Sequence, residues 1–311
     1  MLITGITGFT GGHLAELCVS KGLEVYGLGF PTNNVYLRQR LVGVTDIYNV
    51  DIRDGATVCS IIRKLKPEYI IHLAGLIGNE DLQKLLEINV VGTSNILEAS
   101  LGGGAKILVP GSAAEYGRVS QNSLPISEDV AVHPIDNYGV SKASQIVLAH
   151  MYLRSYRSRV YLPRPFNVTG PGEYTRLVCS SIVKQFVDIQ MGNRESVIYV
   201  GNLETQRDFV DVRDVVRAYW LILESGMPGE IYNICSGKAF SIRDIIGIIS
   251  RILSLQVLIK QEISRVRAYD VPIQIGENEK IRKHTGWQCE IEIERSLSDL
   301  IQYHVLLSEA T

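Results

Sequence analysis

Apolar residues in the first half of the chain gather in short unbroken runs separated by longer stretches of helical period. Met1–Thr4, Glu24–Leu28, Asp46–Val50, Tyr69–Leu73, Lys106–Pro110 and Arg159–Arg164 read as strands. Several are apolar on both sides, as parallel strands covered on two faces must be. Between them, Gly12–Lys21, Asp54–Lys64, Leu82–Ser100 and Tyr138–Arg154 read as helices. Such alternation implies right-handed βαβ crossovers, hence an α/β fold with a Rossmann-like, doubly wound parallel sheet. The second half is less regular. Val197–Val200, Asp208–Val212 and Ile231–Cys235 read as strands, and Val212–Leu223 and Ser241–Leu253 as helices. Ser241 and Asp244 are spaced as a capping box. One strand of this half is expected to join the main sheet, and the rest to form a smaller C-terminal α/β lobe. The expected division is 1–165, with 206–236 returning to the sheet, and 166–205 with 237–311 for the lobe. Ligands of such sheets sit outside the carboxyl ends of the strands, so the cleft between sheet and lobe is the expected site.

Composition narrows the function without naming it. The 311 residues are 46% hydrophobic and 21% charged, enough for one large α/β unit or two domains with a sizeable core. A net charge of -2 offers no basic field, so no nucleic-acid partner is expected. No apolar run approaches the roughly 20 residues of a membrane helix, so no membrane partner is expected. The opening MLITGITG lacks a basic region followed by an apolar stretch, so no secretory leader is expected and a cytoplasmic location is. Cys18, Cys59, Cys179, Cys235 and Cys289 are scattered without a CxxC pair, and the six histidines show no HExxH spacing. Free thiols and no metal site are the expectation.

Two motifs carry chemistry. The first strand runs into Gly5, Gly8 and Gly11, three apart, with Phe9 and Thr10 in the same turn. A missing side chain permits in turn a tight bend, close approach of a pyrophosphate, and close packing of the following helix on the strand. The helix start then offers N–H groups to the phosphates. The second motif is Tyr138-Gly139-Val140-Ser141-Lys142. Tyr138 and Lys142, four apart on a helix, share one face. A nearby ammonium is expected to lower the phenol's pKa toward the working pH, which suits general acid–base catalysis. The same lysine could hold a nicotinamide ribose.

The GxxGxxG spacing resembles the extended short-chain dehydrogenase/reductase family. The likeness continues in Asp51-Ile52, in His72-Leu73-Ala74-Gly75, and in Asn89-Val90-Val91-Gly92-Thr93. It implies a carboxylate at Asp51 against the adenine, and cofactor contacts from Ile52, Leu73, Ala74, Gly75 and Asn89. It also implies that Ser112, in Gly111-Ser112-Ala113-Ala114-Glu115-Tyr116-Gly117, hydrogen-bonds the reacting oxygen beside Tyr138, with Ala113 and Ala114 facing substrate. The second strand ends Tyr26-Gly27-Leu28-Gly29, without the acid that normally binds the adenosine ribose. The next cation is Arg38. It lies some way on, so no arginine is placed for a 2′-phosphate, and the missing acid alone leans the cofactor expectation to NADP, with NAD open.

Arg164-Pro165-Phe166-Asn167-Val168 and Gly170-Pro171-Gly172 resemble the family's RxFNxxGPG segment. The likeness implies that Asn167 approaches the phosphates of a nucleotide sugar, with backbone groups near Pro165 and Val168 reaching the nicotinamide. Gly201-Asn202 through Arg207-Asp208-Phe209 resembles its GN…RDF segment, and Arg267-Ala268-Tyr269-Asp270 a later one. Asn202, Arg207, Arg267 and Asp270 are then expected on the substrate, the arginines through their planar forks on phosphate. Within the family these blocks resemble the branch that reduces GDP-4-keto-6-deoxymannose. A GDP-linked sugar is the implied substrate, with 4,6-dehydratase or 4-epimerase activity as the alternative and a cofactor-binding sensor more remote. Ala114 stands where the dehydratases place an acidic base. Glu115 is adjacent, and in an extended segment would face the other way. The family also implies a homodimer through a four-helix bundle built from Leu82–Ser100 and Tyr138–Arg154.

Overall fold

The computed structural model describes residues 1–78, 80–265 and 271–309. Its first half alternates strand and helix: β1 (Leu2–Thr4), α1 (Phe9–Ser20), β2 (Tyr26–Leu28), α2 (Val35–Gln39), β3 (Asp46–Tyr48), α3 (Gly55–Leu65) and β4 (Tyr69–His72). Next come α4 (Leu82–Leu85), α5 (Gly92–Ala99), β5 (Lys106–Leu108), α6 (Asn137–Tyr156) and β6 (Arg159–Pro165). The second half holds β7 (Asn167–Thr169), α7 (Val178–Gln190), β8 (Val197–Val200), β9 (Gln206–Asp211), α8 (Val212–Ser225) and β10 (Ile231–Ile234). It ends with β11 (Ala239–Ser241), α9 (Ile242–Leu253), β12 (Leu258–Gln261), β13 (Ile273–Gln274), α10 (Glu279–Thr285) and α11 (Ile293–Glu309).

Seven parallel strands form the main sheet in the order β10-β6-β5-β4-β1-β2-β3, so β10 is the strand that returns from the second half. The order reverses between β1 and β4. Helices cover both faces, which explains the unbroken apolar runs. On one face Leu14 of α1, Val215, Tyr219 and Ile222 of α8, Ile281 of α10 and Trp287 pack with Ile3 and Ile71. On the other, Val58 and Ile62 of α3, Ile96 and Leu97 of α5 and Ile146 and Ala149 of α6 pack with Leu2 and Ile70.

The lobe has its own core, in which Phe186 of α7, Ile245 and Ile249 of α9 and Leu297 and Leu300 of α11 meet Ile198 and Phe209. β9 lies in the lobe's small sheet, paired with β7, β11 and β13, rather than in the main one. α9 starts as expected: Asp244 N–H donates to Ser241 Oγ at 3.0 Å, and Ser241 N–H to Asp244 Oδ2 at 2.8 Å.

The expected single helix Leu82–Ser100 is α4 and α5 joined by a π-helical turn, Leu86–Val91. Single widened turns of this kind commonly mark functional sites, and this one carries Asn89.

Candidate active site

The site is built where the strand order switches. Thr4, last in β1, lies opposite His72, last in β4. Beyond Thr4 the chain must turn at once to clear the neighbouring strand. Gly5 does so at φ 66°, where a side chain would lie 2.7 Å from the Ala74 amide nitrogen. The loop closes with Gly8 N–H donating to Gly5 O at 3.0 Å. At Gly11 a Cβ would stand 2.2 Å from Gly5 O, so only glycine lets α1 come this close to the turn. Gly8 caps α1 without a side-chain acceptor, and the first turn, including Phe9 and Thr10, holds no acid. The positive end of the helix therefore stays available to an anion. The Tyr174 hydroxyl sits above this turn, 3.2 Å from where a Gly8 Cβ would be, a placement no motif announces.

The remaining expected cofactor residues lie around the same switch. Leu73 N–H donates to Thr4 O at 3.1 Å, and Ala74 N–H to Thr4 Oγ1 at 3.0 Å, locking the segment that ends at Gly75 against β1. Asn89 braces it: Leu76 N–H donates to Asn89 Oδ1 at 2.8 Å, and Asn89 Nδ2 donates to Leu76 O at 3.1 Å and Ser141 Oγ at 3.0 Å. Ile52 is buried. The Asp51 carboxylate is gripped by Arg53, whose Nη2 donates to Oδ2 at 2.6 Å and whose hydrogen bonds hold it below the usual carboxylate range. After β2, Gly29 leaves the ribose position without a carboxylate. Arg38 stays exposed, whereas Arg40 is tied to Glu16 and Tyr36. Pro165 ends β6 buried, and Val168 is half-buried in β7. These groups fit a dinucleotide: a turn free of side chains, an uncapped helix end and an open ribose position.

Asp136 starts α6 by accepting from Gly139 N–H at 2.7 Å, which puts Tyr138 in the first turn and Lys142 one turn on. Ser112 caps a 3-10 turn, Ala113–Tyr116, and accepts from Ala114 N–H at 3.2 Å. Its hydroxyl stands beside the Tyr138 phenol and acts to lower its pKa. The chain thus brings Ser112, Tyr138 and Lys142 together, but not with the expected electrostatics. Burial pushes the Tyr138 phenol up to about 12; the neighbouring Ser112 hydroxyl works against this, and Glu115 and Asp136 add to it. Burial pulls Lys142 down to about 8, with Glu115 opposing. The Lys142 ammonium donates to Gln145 Oε1 rather than toward the phenol, so it does not lower the tyrosine here. The phenol is therefore a proton donor at neutral pH.

Ala114 is half-buried and offers only methyl and backbone. Glu115 is turned away, but by a different geometry from the one expected. The segment is a 3-10 turn, and Glu115 folds back to accept from Ser112 N–H at 2.6 Å and pairs with Arg164 at 2.7 Å, both side chains 2% exposed or less. Arg164 in turn lies over the Tyr116 ring.

On the lobe side, Ala113 is buried and its carbonyl accepts from Gln274 Nε2 at 2.9 Å. Asn167 Nδ2 donates to Asp208 O at 3.1 Å, joining β7 to β9. Asn202 accepts from Glu204 N–H at 3.0 Å, as a turn former does. Arg207 Nη1 donates to Val271 O at 2.6 Å. Arg267 and Asp270 lie outside the described residues. Asp208 accepts from Ser236 Oγ, Gly237 N–H and Gly276 N–H, and burial raises it to about 6.

A glycine turn at the switch of a parallel sheet, with serine, tyrosine and lysine converging beside it, defines an extended short-chain dehydrogenase/reductase. Residues 2–300 match the family described as GDP-mannose 4,6 dehydratase, and the chain belongs to it. It is 30% identical over 307 residues to GDP-6-deoxy-D-mannose reductase of Pseudomonas aeruginosa, covering 97% of this chain and 95% of that one. It is 29% identical over 296 residues to GDP-6-deoxy-D-talose 4-dehydrogenase of Aggregatibacter actinomycetemcomitans, covering 92% and 91%. Among solved structures, RMD from Pseudomonas aeruginosa complexed with NADPH superposes with a TM-score of 0.86 at 29% identity, over 98% of this chain and 99% of that one.

Proposed function

We propose that the protein reduces the 4-keto group of a GDP-4-keto-6-deoxyhexose with a nicotinamide cofactor, NADPH by preference, forming a GDP-6-deoxy-D-mannose-type product. The observation that carries the reading is the Ser112 hydroxyl standing beside the Tyr138 phenol, with Ala114 in the 3-10 turn that Ser112 caps. An acid and a neighbouring hydroxyl are present for a carbonyl oxygen, and the position of a dehydratase base is a methyl group. When bound, the nicotinamide supplies the hydride. Tyr138 donates the proton to the developing alkoxide, and Ser112 holds that oxygen. Lys142 anchors the nicotinamide ribose. The glycine turn, Asp51, Ile52, Leu73, Ala74, Gly75, Asn89, Pro165 and Val168 seat the cofactor. Ala113, Ala114, Asn167, Asn202 and Arg207 are assigned to the nucleotide sugar, and Arg267 and Asp270 join them on the sequence resemblance alone.

The cofactor domain is residues 1–165 with α8, β10 and α10, and the sugar-nucleotide lobe is β7, α7, β8, β9, β11, α9, β12, β13 and α11; the boundary expected at 206 moves because β9 pairs within the lobe. The position at Gly29, left without a carboxylate after β2, supports the NADP preference. A cytoplasmic homodimer fits a groove of about 530 Å³ on the outer face of α6, lined by Val140, Val147, Leu148 and Met151, with Val147 70% exposed. Among the described residues no helix is long and apolar enough to cross a membrane.

The deciding assay offers GDP-, UDP- and dTDP-linked 4-keto-6-deoxy sugars with NADPH or NADH and follows cofactor oxidation and product. GDP-linked substrate should turn over best, with NADPH. Water loss from GDP-mannose with exchange at C5 would instead make the protein a dehydratase, and turnover without added reductant an epimerase.

A further inference from the structure

Behind the proposed catalytic groups runs a buried polar chain that the reaction does not touch. Ala74 N–H donates to Thr4 Oγ1, and Thr4 Oγ1 meets His72 Nδ1 at 2.7 Å. His72 Nε2 meets Thr93 Oγ1 at 3.0 Å. Thr93 Oγ1 donates to Asn89 O at 2.5 Å and accepts from Gln145 Nε2 at 2.7 Å. Gln145 Oε1 accepts from the Lys142 ammonium. Thr4, His72, Thr93 and Gln145 are each 2% exposed or less.

The direction of every bond follows from counting protons. The Thr93 hydroxyl has one, and it goes to Asn89 O. Thr93 must then accept from both His72 and Gln145, so His72 carries its proton on Nε2. His72 Nδ1 is therefore an acceptor, and the Thr4 hydroxyl donates to it. With its Nε2 spent on Thr93, Gln145 can present only its oxygen to Lys142.

We propose that Gln145 is a positioning residue for Lys142, and that its orientation is imposed by the Thr4–His72–Thr93 chain anchored at the glycine turn. The proposal rests on Lys142 being part of the active site. A half-buried ammonium needs an acceptor to stay charged. Gln145 supplies one without the competing negative charge that would hold the lysine away from a ribose. The ionisable groups that act on or feel Lys142 are Glu115 from the 3-10 turn and His72 from β4, while the Tyr138 phenol, one turn back on α6, is not the group its ammonium donates to. His72 is held neutral, burial pulling it down to about 3. Glu115 is already engaged by Arg164 and Ser112 N–H, which leaves Gln145 as the group whose removal should be felt.

The test is competitive acetylation of the ligand-free protein with acetic anhydride between pH 6 and 10, read by mass spectrometry of the peptide carrying Lys142. Losing a charge-assisted acceptor shifts the ammonium–amine equilibrium on the order of tenfold. Gln145→Leu should therefore move the Lys142 reactivity profile to lower pH. Thr93→Val should do the same in part, because the amide is then free to flip, while Thr93→Ser should restore the wild-type profile. The alkaline limb of the reductase pH–rate profile should move with it. If the profiles of Gln145→Leu and Thr93→Val overlie the wild type, the proposal fails. If Gln145→Leu does not fold, the Thr93→Val and Thr93→Ser pair decides alone. Wild-type protein that turns over no keto sugar would sink the functional reading instead, and the labelling distinguishes the two failures.

Discussion

The buried pair Glu115–Arg164 can be tested with unusual resolution because its two halves fail differently. Both side chains are almost wholly enclosed, and Arg164 Nε and Nη1 have no hydrogen-bond partner among the described residues. Replacing Glu115 by Gln keeps an acceptor for Ser112 N–H but leaves a guanidinium that cannot give up its proton. Leaving such a charge uncompensated costs about 3–5 kcal/mol. At about 2 °C per kcal/mol for a chain of this size, the melting temperature should fall by roughly 6–10 °C. Arg164→Met leaves a lone carboxyl, which can take up a proton. Its folded pKa is then raised, so the penalty is complete at high pH and shrinks as pH falls. Protonation caps it at about 3–4 kcal/mol at pH 7 and near 2 kcal/mol at pH 5.5. Thermal unfolding of both variants at pH 5.5 and 7.5 should show Arg164→Met recovering on acidification and Glu115→Gln not. The double variant Glu115→Gln/Arg164→Met, neutral throughout, should be more stable than either single one. If Glu115→Gln melts within about 2 °C of wild type, or the double variant is the worst of the three, the reasoning about this pair is wrong.

Other consequences follow from the same geometry. Tyr138→Phe should lower keto-sugar turnover by about 10²–10⁴-fold while NADPH binding, read by fluorescence, is retained; unchanged turnover would remove the mechanism. Gly11→Ala places a carbon 2.2 Å from Gly5 O and should raise the cofactor dissociation constant at least about tenfold. Gly12→Ala, whose nearest neighbour would be 3.6 Å away, should be neutral or stabilising by up to about 1 kcal/mol; equal effects of the two would refute the packing argument. Lys142 is pulled down to about 8, so its ammonium is present below that pH and lost above it, and kcat/KM for reduction should fall above pH 8. A profile flat to pH 10 would contradict this.

The main sheet was readable because each strand is covered on both faces, so burial writes an unbroken apolar run regardless of partner. The glycine turn was readable because Gly5 and Gly11 each sit where any side chain would collide with backbone. The lobe helices α7 and α11 had no such signature. α7 opens after Leu177 without a capping side chain and is rich in β-branched residues, a composition that favours strands as readily as helices. What makes it a helix is the packing of Phe186 and Ile182 against α9 and α11, partners far away in sequence. The π-helical turn at Leu86–Val91 was equally silent, since its apolar spacing fits an ordinary helix across the whole stretch.

Glu115 shows how a sound inference can rest on the wrong geometry. An extended segment would have sent its carboxylate to the opposite face, away from substrate. The chain instead makes a 3-10 turn, and the carboxylate is drawn inward by Ser112 N–H and Arg164, one of them 49 positions away. Lys142 repeats the lesson with the opposite result. Helical spacing does place it one turn after Tyr138, yet spacing fixes only where a side chain begins. Where its charge goes depends on the nearest satisfied acceptor, and here that is Gln145, held by Thr93 from another helix. Motifs therefore locate the reacting groups in this fold, whereas their protonation is set by a second layer of buried polar residues that only the packed structure brings together.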